Sequence, residues 1–218
     1  MRIRTTWAWI GIAAQLIFTA LWLVAPLWQG PRYNGVTDSI SDMYAVTAPA
    51  CRVIVVIITV CGAATILFLI AGLLPSIRTA GWRAWLTCIL LALSIFGLGD
   101  LLTPFEQEAC RAADSGCTPA DQLANAGGSL DDLLSTIGVV LLVIGGVFAF
   151  VSLRKIAAAR SLAMVVLVLA IATGIIFVVD GIHISAIAGL LERAIAILGA
   201  ATFVVLAWVV LRSARNVT

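Results

Sequence analysis

No charged residue occurs between Arg4 and Arg32, and the intervening stretch is almost wholly apolar. A bilayer core of roughly 30 Å takes about 20 apolar helical residues to cross, and this run is long enough. Five more follow, so the runs lie near 6–28, 51–74, 82–102, 132–153, 161–180 and 188–211. Because every backbone polar group in hydrocarbon must be satisfied within the chain, such runs can only be helices. The first run is too long for the apolar core of a signal peptide, and no small-x-small cleavage site follows it. The predicted fold is therefore all-α. It is one polytopic domain over 1–218, a six-helix transmembrane bundle with outer loops near 29–50, 103–131 and 181–187. Composition agrees: 62% of the residues are hydrophobic and only 11% charged, too little polar surface for a water-soluble domain of this length.

Charge distribution sets the expected orientation. With the N-terminus inside, Arg2, Arg4, Arg78, Arg83, Arg154, Lys155, Arg160, Arg212 and Arg215 are inner, and Arg32, Arg52, Arg111 and Arg193 are outer. This is the positive-inside bias, and it predicts a cell-membrane protein with both termini cytoplasmic. All eleven acids fall on the outer side, a segregation that orientation alone does not require. Tryptophans near the ends of the runs (Trp7, Trp9, Trp82, Trp85 and Trp208 inside, Trp22 and Trp28 outside) read as an interfacial belt. Cys110 and Cys117, separated by six residues in the longest outer loop, are placed to form a disulfide in an oxidising exterior.

The runs themselves carry few polar groups. Gln15 and Thr19 share a helix face and read as interhelical glue. Acids, histidines and broken helices near mid-bilayer, which mark coupled carriers, are not evident. The outer ends differ. Arg52 opens run two, Asp100 closes run three, and Asp131 and Asp132 open run four. Asp180 ends run five with His183 beyond it, and Glu192 and Arg193 begin run six. Asp132, Ser135 and Thr136 share a helix face by their spacing. Counting 1.5 Å per residue puts these groups at one depth near the outer headgroups.

The expected binding set is thus Asp42, Arg52, Asp100, Asp132, Asp180, His183, Glu192 and Arg193, with Ser39 and Ser41 in a loop folded over it. Capping explains any single acid equally well. Arginine gains nothing at a helix start, so Arg52 and Arg193 point to paired acids or to an anionic group such as a lipid phosphate.

Three stretches carry a family resemblance: "DSISDMYAVTAPACR", "GDLLTPFEQEAC" and "GLLERAIAILGAATFVVLAWVVLR". The most specific parts are the Ser-x-Ser-acid loop (Ser39, Ser41, Asp42) and the Gly-Leu-x-Glu-Arg entry to the last helix (Gly189, Leu190, Glu192, Arg193). In order and spacing the chain resembles the prokaryotic membrane protein family catalogued as domain of unknown function 998, over nearly its whole length. The resemblance implies a six-helix bundle and no established activity. Similar members often carry a histidine near the start of helix four. Here "GGSLDDLLST" holds Asp131 and Asp132 instead, so a family site that used that histidine is altered.

Three functions compete on these residues. One is binding of an anionic lipid or lipid-like group at the outer mouth, with membrane lipids as partners and no cofactor. A second is an intramembrane lipid hydrolase or transferase using the outer acids and His183, for which a hard divalent ion is the fitting metal. A third is a structural or assembly subunit docking other membrane proteins. No basic patch with interleaved aromatics exists for nucleic acid, and no glycine-rich phosphate loop occurs.

Overall fold

The computed structural model describes residues 2–182 and 185–215, and among them every regular element is helical. The long helices are α1 (Arg2–Val24), α2 (Cys51–Leu67), α3 (Trp82–Ala92), α4 (Ala126–Leu153), α5 (Arg160–Asp180) and α6 (Ala188–Arg215). Helix α2 runs on through a π turn, Phe68–Leu73, into Leu74–Ile77. Pro75, which has no N–H to donate to the preceding turn, lies two residues beyond the end of that widened stretch. Five helical stretches are long and apolar enough to cross a membrane. A sixth arises if the pair Trp82–Ala92 and Ile95–Phe105 is one span, bent by 50°.

That bend is the main departure from the expected course, in which run three is a continuous helix. Ser94 adopts an extended backbone (φ −70°, ψ 172°) between the two halves. Its freed neighbours are satisfied locally: Ser94 Oγ donates to Leu91 O at 2.7 Å, and the Gly97 and Gly99 N–H groups donate to Ser94 O. Helix α4 makes room for the break, since a Cβ at Gly138 would lie 2.6 Å from the Ile95 backbone nitrogen.

The helices pack in a ring in chain order, α1 on α2, α2 on the Ile95–Phe105 half of the bent pair, α3 on α4, α4 on α5, α5 on α6, and α6 back on α1. Phe96, carried by the bend, fills the middle. Its ring lies 5.4 Å from Phe18 and 5.5 Å from Phe203, centroid to centroid. Toward the end that carries the short basic turns, the ring is filled by Phe68, Leu69, Leu73, Leu153, Phe203 and Leu206, all fully buried. The outside is apolar, with Val56, Val60, Val168, Ile171, Ile175 and Val178 exposed. Exposed apolar surface of that extent marks contact with lipid or protein.

Two expectations about α1 resolve differently. Gln15 is buried glue as anticipated: its Nε2 donates to Thr65 Oγ1 of α2 at 2.8 Å. Trp22, by contrast, is not in an interfacial belt. It is 2% exposed, because the inward stripe Ala8, Gly11, Gln15, Phe18 and Trp22 keeps helical spacing to the end of the helix.

Candidate functional site

At the other end of the ring lie the long loops. The segment after α1 crosses the bundle, where the Val46 N–H donates to Glu108 O and the Leu190 N–H donates to Val36 O. The 29–50 and 103–125 loops and the start of α6 therefore form one cap. Beneath it is a cavity of about 240 Å³. Its polar lining includes Ser41, Tyr44, Asp100, Glu106, Asp131, Asp132, Ser135, Thr136, Asp180 and Glu192. Its apolar lining includes Phe18, Ile40, Ile58, Phe96, Val139 and Phe177.

The wall is built from separate elements. Asn125 caps α4, accepting from the Gly128 N–H at 2.7 Å, so that helix begins six residues earlier than its apolar run. Asp131 and Asp132 are consequently in its second turn and are not caps. As the spacing predicts, Asp132, Ser135 and Thr136 face the cavity together. Asp131 is buried and accepts from Tyr44 Oη at 2.8 Å. Glu192 accepts from the Ile40 N–H at 2.7 Å, which draws the Ser39–Ser41 loop over the mouth.

Asp100 sits deeper than helix counting placed it. A Cβ at Gly62 would lie 2.8 Å from Asp100 Cβ and 2.6 Å from Leu101 N. Gly62 is eleven residues into α2, about 17 Å along its axis. The 50° bend explains the difference, since residues 95–105 run obliquely and bring Asp100 inward.

The cap has its own buried acids, and these are saturated with donors. Asp42 is 1% exposed and accepts from the Ala112 N–H at 2.7 Å, the Ser39 N–H at 3.1 Å and Gln122 Nε2 at 3.0 Å. Glu108 accepts from Ser41 Oγ and Gln122 Nε2, each at 2.9 Å. Burial raises the Asp42 carboxyl despite the Ala112 and Ser39 N–H groups. Burial, reinforced by Asp131 and Asp42, pushes Glu108 up to about 8. Burial and then Asp131 push Glu106 to about 8 as well, and Tyr44 is raised well above the usual phenol range by burial and Asp131. Cys110 and Cys117 are joined as expected, enclosing Arg111 and Asp114. Arg111 pairs with Asp114 and donates from its Nη1 to Gln29 O at 2.9 Å.

Of the sequence-predicted set, Asp100, Asp132, Asp180, Glu192 and Ser41 meet at the cavity. Asp42 and Ser39 belong to the cap. His183 lies outside the described residues.

The two arginines are elsewhere. Arg193 is buried and donates from Nη1 to Asp38 O at 2.9 Å and Gly189 O at 2.8 Å, and from Nη2 to Tyr33 Oη. It is therefore held by carbonyls and a phenol, not by the acids expected. Arg52 is exposed, in line with Val56 and Val60 on the outward face of α2. It makes no side-chain hydrogen bond or ion pair among the described residues. Among the described residues no lysine or arginine lines the cavity.

No family model matches the chain, and no curated protein or solved structure does either. The site is thus read from its own geometry. Sequence reasoning missed Tyr44, Glu106 and Asp131 as members. The available signal for Glu106 was an acid placed a few residues beyond Asp100, where a Thr-Pro pair ends the helix.

Proposed function

We propose that the chain is a six-span membrane protein of the domain of unknown function 998 family, with both termini cytoplasmic, whose outer mouth binds a lipid-like amphiphile. The observation that carries this reading is the cavity's mixed lining, acidic and hydroxyl side chains together with aromatic and aliphatic ones, the two kinds of contact an amphiphile needs. The bent pair counts as the sixth span. The basic turns then face the cytoplasm, and the Cys110–Cys117 disulfide lies in an oxidising space. An anionic headgroup loses its support, because the arginines that suggested it lie off the cavity wall.

Native mass spectrometry of the protein in mild detergent tests this reading. A discrete amphiphile is expected to co-purify and to be lost when Val139→Trp fills the apolar part of the cavity. A protein free of amphiphile after extraction and after incubation with membrane lipid refutes it.

One contact favours a second reading, an intramembrane hydrolase. Ser41 Oγ donates to a buried carboxylate, Glu108, and Ser41 faces the cavity. Lipid turnover abolished by both Ser41→Ala and Glu108→Gln would establish it in place of simple binding.

A further inference from the structure

Buried carboxylates in this protein fall into two groups. In the cap, Asp42 and Glu108 have donors on both of their oxygens. Four carboxyl groups lining the cavity are less fully matched. Glu106 is 5% exposed and lines the cavity, and its Oε1 has no hydrogen-bond partner among the described residues. Asp100 is 7% exposed and its carboxylate accepts no hydrogen bond there. Each of Asp131 and Glu192 spends one oxygen on the protein, on Tyr44 and Ile40 respectively. A buried acceptor left unmatched is costly, so the missing donors point to an occupant.

We propose that the polar end of the cavity receives a protonated amine headgroup. This inference rests on the amphiphile reading above and names its chemical class. An alkylammonium carries three N–H donors and a positive charge, which complements acceptors on separate elements and would displace the proton that burial otherwise holds on Glu106 up to about pH 8. A phosphate would meet acids with no lysine or arginine lining the wall among the described residues.

A hard metal ion is the other cationic candidate, and it fits less well. It needs several oxygens within about 2.0–2.6 Å of one point. Among the described residues no three histidine, cysteine or acidic side chains are close enough together to hold one. An ammonium makes longer hydrogen bonds and tolerates acceptors spread around it. The apolar lining of Phe18, Phe96 and Val139 then takes the alkyl chain.

The test uses the full-length protein in a maltoside detergent and three probes of equal chain length: decylammonium, decanol and decyl phosphate. Binding is read by native mass spectrometry and thermal shift. Decylammonium is expected to bind about tenfold or more tighter than decanol, with decyl phosphate weakest. Glu106→Gln is expected to remove about tenfold of the amine preference while leaving decanol within about twofold. Asp100→Asn serves the same purpose if Glu106→Gln does not fold.

Decanol or decyl phosphate binding as well as the amine would overturn the inference while leaving amphiphile binding intact. An amine preference untouched by either variant would also overturn it. Failure of all three probes to bind would sink the amphiphile reading as well. A further arm, vesicles of phosphatidylethanolamine and phosphatidylglycerol, separates the sources. Selective retention of the amine-bearing lipid identifies a bilayer ligand, and retention of neither lipid with decylammonium bound identifies a free long-chain amine.

Discussion

Arg193 donates to the main-chain carbonyl of Asp38 across 155 residues of sequence, and so ties the first turns of α6 to the loop that follows α1. The same guanidinium holds Gly189 O within its own helix and lies 6.0 Å from the centre of the Tyr33 ring. Tyr33 in turn donates to Ser39 O at 3.0 Å. Burial keeps that phenol protonated, with a pKa of about 12 in spite of the lowering effect of Arg193. A lysine has neither the reach nor the planar fork to serve these acceptors. Arg193→Lys should therefore destabilise the protein by about 2–4 kcal/mol, seen as a lower apparent Tm in detergent. A variant melting with the wild type would show that the clamp contributes nothing.

Gly189 makes that clamp possible. A Cβ there would fall 2.2 Å from Asp38 O and 2.9 Å from Arg193 Nη1. Gly189→Ala should displace the loop and cost about 1–3 kcal/mol. The displacement should appear as faster hydrogen exchange at the Leu190 amide, which donates to Val36 O. Unchanged exchange would contradict it.

The cap should respond to pH in a definite direction. Glu106 and Glu108 have folded pKa values near 8, raised from an ordinary 4.5, so the folded state binds their protons more tightly than the unfolded state. Their contribution to stability is fully present below pH 4.5 and is lost as pH rises through about 8. Apparent Tm should fall from about pH 5 to about pH 9. Glu108→Gln, which can still accept from Gln122 and donate to Ser41, should flatten that fall. Asp114 acts in the opposite sense. Burial pushes it up, but the Arg111 and Thr47 hydrogen bonds prevail and hold it at about 2, so its contribution is present above 3.8 and lost as pH falls toward 2. A melting temperature that climbs above neutral pH would refute the assignment.

Removing the Cys110–Cys117 link by paired serine substitution should cost about 2 kcal/mol by the chain-entropy account of a loop this short. The change should be confined to the cap, with faster exchange at the Ala112 amide that donates to Asp42. Global loss of helix on reduction would show instead that the cap organises the bundle.

Much of this arrangement was legible in advance because it depends on local period. The apolar runs, the shared face of Asp132, Ser135 and Thr136, the Cys110–Cys117 pair and the loop over the mouth all follow from spacing. The bend at Ser94 does not, because it depends on Gly138 of another helix admitting the Ile95 backbone. No proline marks it. With residues 82–105 bent there, depths counted along a straight helix fail, and Asp100 lies inward against Gly62. Arg193 was recognised as a residue needing a partner. Its partners are carbonyls, which every residue carries, so no sequence pattern could single them out. The early start of α4 was hidden by Gly127 and Gly128, poor helix formers that Asn125 nonetheless caps.

The dense layer of Phe68, Leu73, Leu153, Phe203 and Leu206 below the cavity has a consequence for traffic. These side chains are fully buried, so a passage through the ring on that side would have to part them. An occupant held as proposed would then exchange more readily on the side of the cap than through the ring.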